Sequence, residues 1–259
     1  MTPAPRARKR FGQHFLTDPG IVSNIVHAIA PAADDCLVEI GPGRGAITAP
    51  LARLAGHLHL VEFDRDLVRG LHAQYDTDPR VTVHEADALG FDFGRLGNEL
   101  RIVGNLPYNI STPLLFHLVE YREHVRDMHF MLQKEVVRRM SAAPGSKAYG
   151  RLTVMLACHL EVVPLFDVTP AAFAPPPQVD SSVVRLTPLP RGHFRIVDPP
   201  GLARLVRQGF SQRRKTLHNA LAPLAGDEDL RAAGIDPAAR AERVPVAAWI
   251  ELANRLAAH

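Results

Sequence analysis

Asp35-Cys36-Leu37-Val38-Glu39-Ile40-Gly41-Pro42-Gly43-Arg44-Gly45 is a short apolar run that stops at a glycine-rich turn. The run predicts a buried strand over 35–40, and the apolar periodicity after it predicts a helix over 46–54. Glycines belong at such a junction because the chain turns sharply there and its backbone comes close to a ligand. The start of the helix also offers N–H groups that no helical carbonyl takes up. Working outward, 57–62 reads as a second strand and 64–75 as a helix. Asp78-Pro79 marks a turn before a third strand at 81–84, and 101–104 and 128–132 read as a fourth and a fifth. Strands alternating with helices imply an α/β fold with a parallel, doubly wound sheet.

The turn has acidic partners. Glu62 closes the second strand, about 20 residues beyond the turn, where a carboxylate accepts hydrogen bonds from both ribose hydroxyls of a nucleoside. Asp87 follows the third strand and is placed to reach the adenine amino group of the same ligand. Gly41 and Gly43 let the backbone come close to that ligand. These residues do not by themselves select it, because Gly41-x-Gly43-x-x-Ala46 also fits a dinucleotide-binding fingerprint.

The pattern changes after Tyr149. Residues 152–157 read as helical, and 159–168 and 179–187 as two longer strands joined by the turn Pro175-Pro176-Pro177. Such a hairpin suggests an antiparallel addition at the edge of the parallel sheet. Pro188, Pro190, Pro199 and Pro200 then mark a boundary. Apolar residues return at helical spacing around Leu202, Leu205 and Val206, around Leu217 and Leu221, and over 246–256. Two domains are expected: an α/β domain over 1–189 and a small helical one over 190–259.

Composition sets bounds on this reading. Hydrophobic residues make up 46% of the 259 and charged residues 22%, which suits a globular chain with a real core. The net charge is only +3, so the position of the charge matters more than its sum. Cys36 and Cys158 form no Cys-x-x-Cys pair, and no His-x-x-x-His pair accompanies them, so no metal site is expected. No stretch reaches the ~18–20 consecutive apolar residues of a membrane span. The basic start, Arg6, Arg8, Lys9 and Arg10, is not followed by an apolar signal region, and a cytoplasmic location is expected.

The chemistry is carried by the stretch after the fourth strand, Asn105-Leu106-Pro107-Tyr108-Asn109-Ile110-Ser111-Thr112. Its first four residues resemble the signature of methyltransferases that act on planar amino nitrogens: Asn or Asp, any residue, Pro, then an aromatic. The resemblance widens with Arg8-Lys9-Arg10-Phe11-Gly12-Gln13-His14-Phe15-Leu16, Val38-Glu39-Ile40-Gly41-Pro42-Gly43 and Gln133-Lys134-Glu135-Val136. It ends with Pro175-Pro176-Pro177-x-Val179-Asp180-Ser181-Ser182-Val183-Val184. Over most of its length the chain resembles the KsgA (RsmA) family of small-subunit ribosomal RNA adenine dimethyltransferases. The resemblance implies a Rossmann-like methyltransferase domain, a helical C-terminal domain, and S-adenosylmethionine as methyl donor.

Adenine N6 is a poor nucleophile because its lone pair is delocalised into the ring. Acceptors aimed at its amino hydrogens favour the tetrahedral geometry and the positive charge that develop during attack. Asn105 supplies a side-chain oxygen, and the Leu106 carbonyl is a second acceptor held by the backbone that Pro107 fixes. Tyr108 is expected to stack on the base, which is worth about 1–3 kcal/mol in nucleic-acid binding. Phe173 is either a stacking face on the other side of the base or an anchor for its loop. The resemblance carries cofactor contacts onto His14, Leu16, Gly41, Glu62, Asp87 and Asn105. Position 14 departs from members with Asn there; a His also donates a hydrogen bond, and the contact becomes pH-sensitive if the ring makes it.

Three basic groups fit phosphate contacts: Arg6–Arg10; Lys134 with Arg138 and Arg139; and Arg204, Arg207, Arg213, Arg214 and Lys215. Arg213, Arg214 and Lys215 are the clearest substrate-binding candidates. The partner implied is 16S rRNA within an assembling small subunit, with a monomeric enzyme. Two other readings remain open. One is a resistance-type enzyme acting on large-subunit rRNA, and the other is an assembly factor that binds without catalysis. A nicotinamide dehydrogenase would leave Asn105–Tyr108 unexplained.

Overall fold

In the computed structural model, residues 14–107, 110–212 and 214–258 are described. The elements follow in chain order. They are β1 (Phe15–Leu16), α1 (Pro19–Ile29), β2 (Cys36–Ile40), α2 (Thr48–Leu54), β3 (His57–Glu62), α3 (Arg65–Tyr75), β4 (Val81–Glu85), β5 (Leu100–Asn105) and α4 (Ser111–Glu120). Then come β6 (Val125–Gln133), α5 (Lys134–Met140), α6 (Arg151–Ala157), β7 (Leu160–Val168), β8 (Phe173–Ala174), β9 (Ser181–Pro188), α7 (Pro199–Gly209), α8 (Leu217–Leu221), α9 (Asp227–Ala232) and α10 (Val246–Ala257).

Seven strands form one sheet in the order β4-β3-β2-β5-β6-β9-β7. The first five pair in parallel, and β9 adds antiparallel to β6. The chain runs outward from β2 to β4 and then returns to place β5 on the other side of β2. That reversal leaves a crevice outside the carboxyl ends of β2 and β5, where α/β proteins of this kind bind ligands. The central strands are apolar on both faces: Leu37, Val38, Leu58, Leu60, Ile102 and Val103 are all buried. β5 also comes close to β2, because a Cβ at Gly104 would lie 2.6 Å from the Ile40 carbonyl oxygen.

Local signals set the helix starts. Asp18 caps α1 by accepting from the Gly20 and Ile21 amides at 2.8 and 3.1 Å, with Pro19 in the first turn. Asp64 caps α3 by accepting from Asp66 N, and α3 then buries Leu67, Val68, Leu71 and Tyr75 along one face. α2 begins at Thr48, two residues later than the periodicity predicts. Gly45 at φ +80° and its amide bond to the Pro42 carbonyl extend the turn instead. The sequence pattern does not locate α1, α4, α5, α9 or a second small sheet in which β1 pairs antiparallel with β8.

The chain divides into two compact units, Met1–Val137 with Val163–Pro188, and Arg138–Val162 with Leu189–His259. The sequence places one boundary, at 189/190; the chain crosses between the units at 137/138, 162/163 and 188/189. α6 thus falls in the second unit, where Val154 clusters with Tyr149, Leu202, Leu205 and Trp249. Local periodicity cannot reveal that, because the partners of α6 lie far along the chain. Within this unit the Tyr149 hydroxyl donates to the Val244 carbonyl at 2.8 Å. Gly209 lies against the Trp249 indole, with no room for a side-chain carbon. Among the described residues, no helix is long and apolar enough to cross a membrane.

At the amino-terminal ends of the parallel strands, one buried cation joins three elements. Arg101 on β5 donates to Asp35 at 2.7 Å, to Asp127 of β6 at 2.9–3.1 Å, and to the carbonyls of Ile29 and Ala30. Burial works against the Asp35 charge, but the Ala32 amide and the Arg101 and Arg126 guanidinium groups outweigh it and hold its carboxyl below the usual range. Removing one partner of such a buried network leaves the others desolvated and unpaired. Arg101→Met is therefore expected to lower stability by about 3–5 kcal/mol in urea unfolding. A loss within about 0.5 kcal/mol, the size of an ordinary surface substitution, would refute that role.

Candidate active site

The crevice at the carboxyl ends of β2, β3, β4 and β5 holds a cavity of about 260 Å³. Each strand delivers its own part of the wall. β2 runs into Gly41, Pro42 and Gly43, β3 ends in Glu62, the loop after β4 brings Asp87, and β5 ends in Asn105 followed by Leu106 and Pro107. His14 and Leu16, far away in sequence, line the same cavity from the β1 segment. Tyr108 and Arg213 lie outside the described residues, as do Arg6–Arg10.

Glu62 ties the wall together. Its Oε2 accepts from the Gly43 amide at 3.2 Å, and Oε1 accepts from the Phe63 and Asp64 amides, both at 2.9 Å. Burial pushes its carboxyl above the usual range, and these three amides pull against that push. Gly41 and Gly43 stand at φ +66° and +60°, which favours glycine at both positions. A Cβ at Gly43 would also lie 3.3 Å from the Phe15 ring.

The amides of the turn are engaged within the protein. Gly41 N donates to Val61 O, Gly43 N to Glu62, and Gly45 N to Pro42 O. The turn therefore differs from the phosphate cradle of a dinucleotide-binding loop, where such amides face an anion. The cavity instead carries two buried carboxyl groups, since Glu39 lines it as well as Glu62. Glu39 is 2% exposed, and its Oε2 has no hydrogen-bond partner. Burial pushes its carboxyl up to about 7; the Thr48 hydroxyl pulls against that push and the neighbouring Glu62 charge adds to it. A ligand that carries positive charge relieves both groups.

Asn105 has a defined orientation. Its Nδ2 donates to the His14 main-chain carbonyl at 3.0 Å. A carbonyl only accepts, so the amide nitrogen must face it and Oδ1 is the end left to a ligand in the cavity. Asp87 is exposed at the wall, where its carboxylate accepts from Leu89 N at 3.0 Å.

Phe173, expected either to stack on the base or to anchor its loop, is buried in this structure. It is 4% exposed, does not line the cavity, and clusters with Leu16, Val168 and Ala172. It sits opposite Leu16 in the β1–β8 pair, with its ring packed in the core. Arg214 and Lys215 are exposed just before α8, in the second unit. Lys134 is held by Asp167 at 2.8 Å, so it is a weaker phosphate candidate than its charge suggests.

Several wall residues have no role in the sequence reading, four polar or aromatic ones standing out. They are Glu39, Phe63, and the pair Phe15 and Arg44, whose guanidinium lies 4.3 Å from the Phe15 ring centre. Phe63 is the easiest to find in retrospect. It is an aromatic directly after the strand-ending Glu62, and it is 59% exposed. Among the described residues, no group of three or more His, Cys, Asp or Glu is arranged to hold a metal ion.

The sequence model of the family described as ribosomal RNA adenine dimethylase matches residues 4–258. A ribosomal RNA small subunit methyltransferase A from Aromatoleum aromaticum is 55% identical over 253 residues, covering 98% of this chain and 95% of that protein. The protein of the same name from Pseudomonas aeruginosa is 51% identical over 255 residues, covering 97% and 95%. Among solved structures, a dimethyladenosine transferase from Plasmodium falciparum superposes with a TM-score of 0.80 at 26% identity, over 92% of this chain and 96% of that one. The 23S rRNA methyltransferase ErmE shares the fold, with a TM-score of 0.75 at 24% identity over 94% of this chain and 99% of its own.

The Glu39 carboxyl has a measurable signature. The folded protein keeps its proton up to about pH 7, while the unfolded chain releases it near 4.5, so its contribution to stability falls as pH rises through that window. Glu39→Gln cannot ionise and escapes the loss. Thermal unfolding of the cofactor-free protein should show the variant gaining on the parent from pH 4.5 to 7 and a constant difference above it. The total gain should be on the order of 3 kcal/mol. A difference that stays flat across the window would show that Glu39 titrates normally.

Proposed function

Because this chain belongs to the ribosomal RNA adenine dimethylase family, matched over nearly its whole length, we propose that it dimethylates N6 of two adjacent adenines near the 3′ end of 16S rRNA. The expected substrate is the assembling small subunit, and the expected location is the cytoplasm. As a member of this family the chain is an S-adenosylmethionine-dependent ribosomal RNA methyltransferase with a Rossmann-like fold. The names of the relatives at 51–55% identity support the small-subunit assignment over a large-subunit one.

The observation that carries the chemistry is the orientation of Asn105 in a cavity with two buried carboxyl groups. The residues present fit the methyl donor. Glu62 has lone pairs beyond those its three amide contacts use, and it suits the ribose hydroxyls. Exposed Phe63 offers an apolar face for the base, and Asp87 suits the adenine amino group. The unpartnered Glu39 oxygen favours the positively charged α-ammonium group at the amino-acid end. When bound, S-adenosylmethionine supplies an electrophilic methyl group on a sulfonium sulfur.

On the substrate side, Asn105 Oδ1 and the Leu106 carbonyl accept from the adenine amino hydrogens. This favours the tetrahedral geometry of the attacking nitrogen and the charge that develops on it. Pro107 holds the second acceptor in place, and Tyr108 is assigned the stacking role. No side chain is required as a strong base, because the proton leaves after transfer. Arg213, Arg214 and Lys215 are assigned phosphate contacts that position the RNA without reading sequence. An adenine must leave its stack to reach such a pocket.

The test uses small ribosomal subunits from cells that lack this activity. They are incubated with the protein and labelled S-adenosylmethionine, and the rRNA is digested and read by mass spectrometry. N6,N6-dimethyladenosine at two adjacent 16S positions is the expected product. Label confined to large-subunit RNA would move the chain to the resistance-type branch. Tight binding to either subunit without methylation would make it an assembly factor.

A further inference from the structure

We propose that His14 is a positioning residue: its ring latches the β1 segment to the Pro175 carbonyl so that its own main-chain carbonyl fixes the amide of Asn105. The inference rests on the role given to Asn105 above. It assigns His14 a part in alignment, where the family resemblance implies only a contact with the methyl donor.

Two hydrogen bonds at one residue carry the inference. The His14 ring nitrogen Nδ1 lies 2.8 Å from the Pro175 carbonyl oxygen, and the His14 carbonyl accepts from Asn105 Nδ2 at 3.0 Å. Pro175 directly follows β8, and β8 pairs with β1 directly after His14. The latch therefore continues a ladder that includes Phe15↔Ala174 and Leu16↔Phe173, and the Thr17 amide extends it to the Ala172 carbonyl at 2.8 Å. That ladder is only two residues long on each strand. So short a pair does not hold its own end in register, and a side-chain bond at the open end supplies what further strand would have supplied.

The end it fixes is the one that touches the catalytic amide. If residue 14 shifts, the carbonyl facing Asn105 Nδ2 shifts with it. The amide can then turn over and present nitrogen, a donor, to the amino group it must accept from. An error of about 1 Å at such a site costs on the order of a hundredfold in rate.

The chemistry of the latch also predicts how it responds to substitution and to pH. The carbonyl only accepts, so Nδ1 carries the hydrogen, and it does so whether or not the ring is protonated. The latch therefore persists in both charge states of the ring. An Asn side chain places its Nδ2 two bonds from Cβ, as His places Nδ1, so His14→Asn keeps the donor.

The test is a double-mutant cycle read in three ways on the full chain. First, single-turnover methyl transfer by His14→Ala should fall about ten- to a hundredfold, while the affinity for S-adenosylhomocysteine by calorimetry stays within about threefold. His14→Asn should restore the rate and give the parent's pH profile. Second, in an Asn105→Ala background, His14→Ala should cost less than about twofold more, because the group it aligns is gone. Third, in the cofactor-free protein, the Asn105 side-chain NH₂ signal in ¹⁵N spectra should lose its hydrogen-bonded shift in His14→Ala and keep it in His14→Asn. Affinity that falls in step with rate would make His14 a cofactor contact and overturn the proposal. So would an undiminished effect of His14→Ala in the Asn105→Ala background. An Asn105→Ala protein that methylates normally would instead overturn the role given to Asn105 itself, a failure distinct from that of the latch.

Discussion

The site depends on one carboxylate that holds two strand ends together. Glu62 accepts from the Gly43 amide across the gap between β3 and the turn after β2, and from the Phe63 and Asp64 amides at its own strand end. Through that group the left-handed turn, the end of β3 and the start of α3 become one rigid wall. A buried carboxylate with three amide donors is well satisfied, yet it keeps acceptor capacity for a ligand. The same oxygens that shape this wall are the ones proposed to meet the ribose of the methyl donor.

The sheet is built differently at its two ends. At the amino-terminal ends of β2, β5 and β6, Arg101 gathers Asp35 and Asp127 and the carbonyls that close α1. That network is closed to ligands because every partner is already engaged. At the carboxyl ends, the reversal of strand order opens a crevice, and close approach of β5 to β2 at Gly104 brings Asn105 to its edge. Charge follows the same division. The closed end pairs its carboxylates with guanidinium groups, whereas the open end leaves Glu39 and Glu62 to a cationic ligand.

The sequence made legible whatever depends on local pattern. The limits of β3 and the alternation of strands and helices follow from apolar runs, and the family motifs place Gly41, Glu62, Asp87 and Asn105 in chain order. The structure adds that all four line one cavity. What the sequence hid depends on distant partners. β1 is two residues long, below any periodicity, and exists only because β8 pairs with it across the fold. The burial of Phe173 likewise follows from that pairing and is not visible in its local sequence. Arg101 looks like one charge in an apolar strand, and its three-element network becomes visible only when β2, β5 and β6 lie side by side. α1 is a different case, because Asp18-Pro19 is a recognisable helix start that the apolar pattern alone passes over. α6 sits in the second unit for the same reason that β1 exists: its packing partners are remote in sequence.

The methyl donor and the Asn105 amide are proposed to meet in the cavity at the carboxyl ends of β2 to β5. A crystal structure with S-adenosylhomocysteine and an adenosine acceptor tests this most directly. The expected result places the ribose hydroxyls on Glu62, the donor's adenine between Phe63 and Asp87, and Asn105 Oδ1 within hydrogen-bond distance of the acceptor's N6. A donor seated elsewhere, or Asn105 turned with Nδ2 toward the acceptor nitrogen, would contradict it.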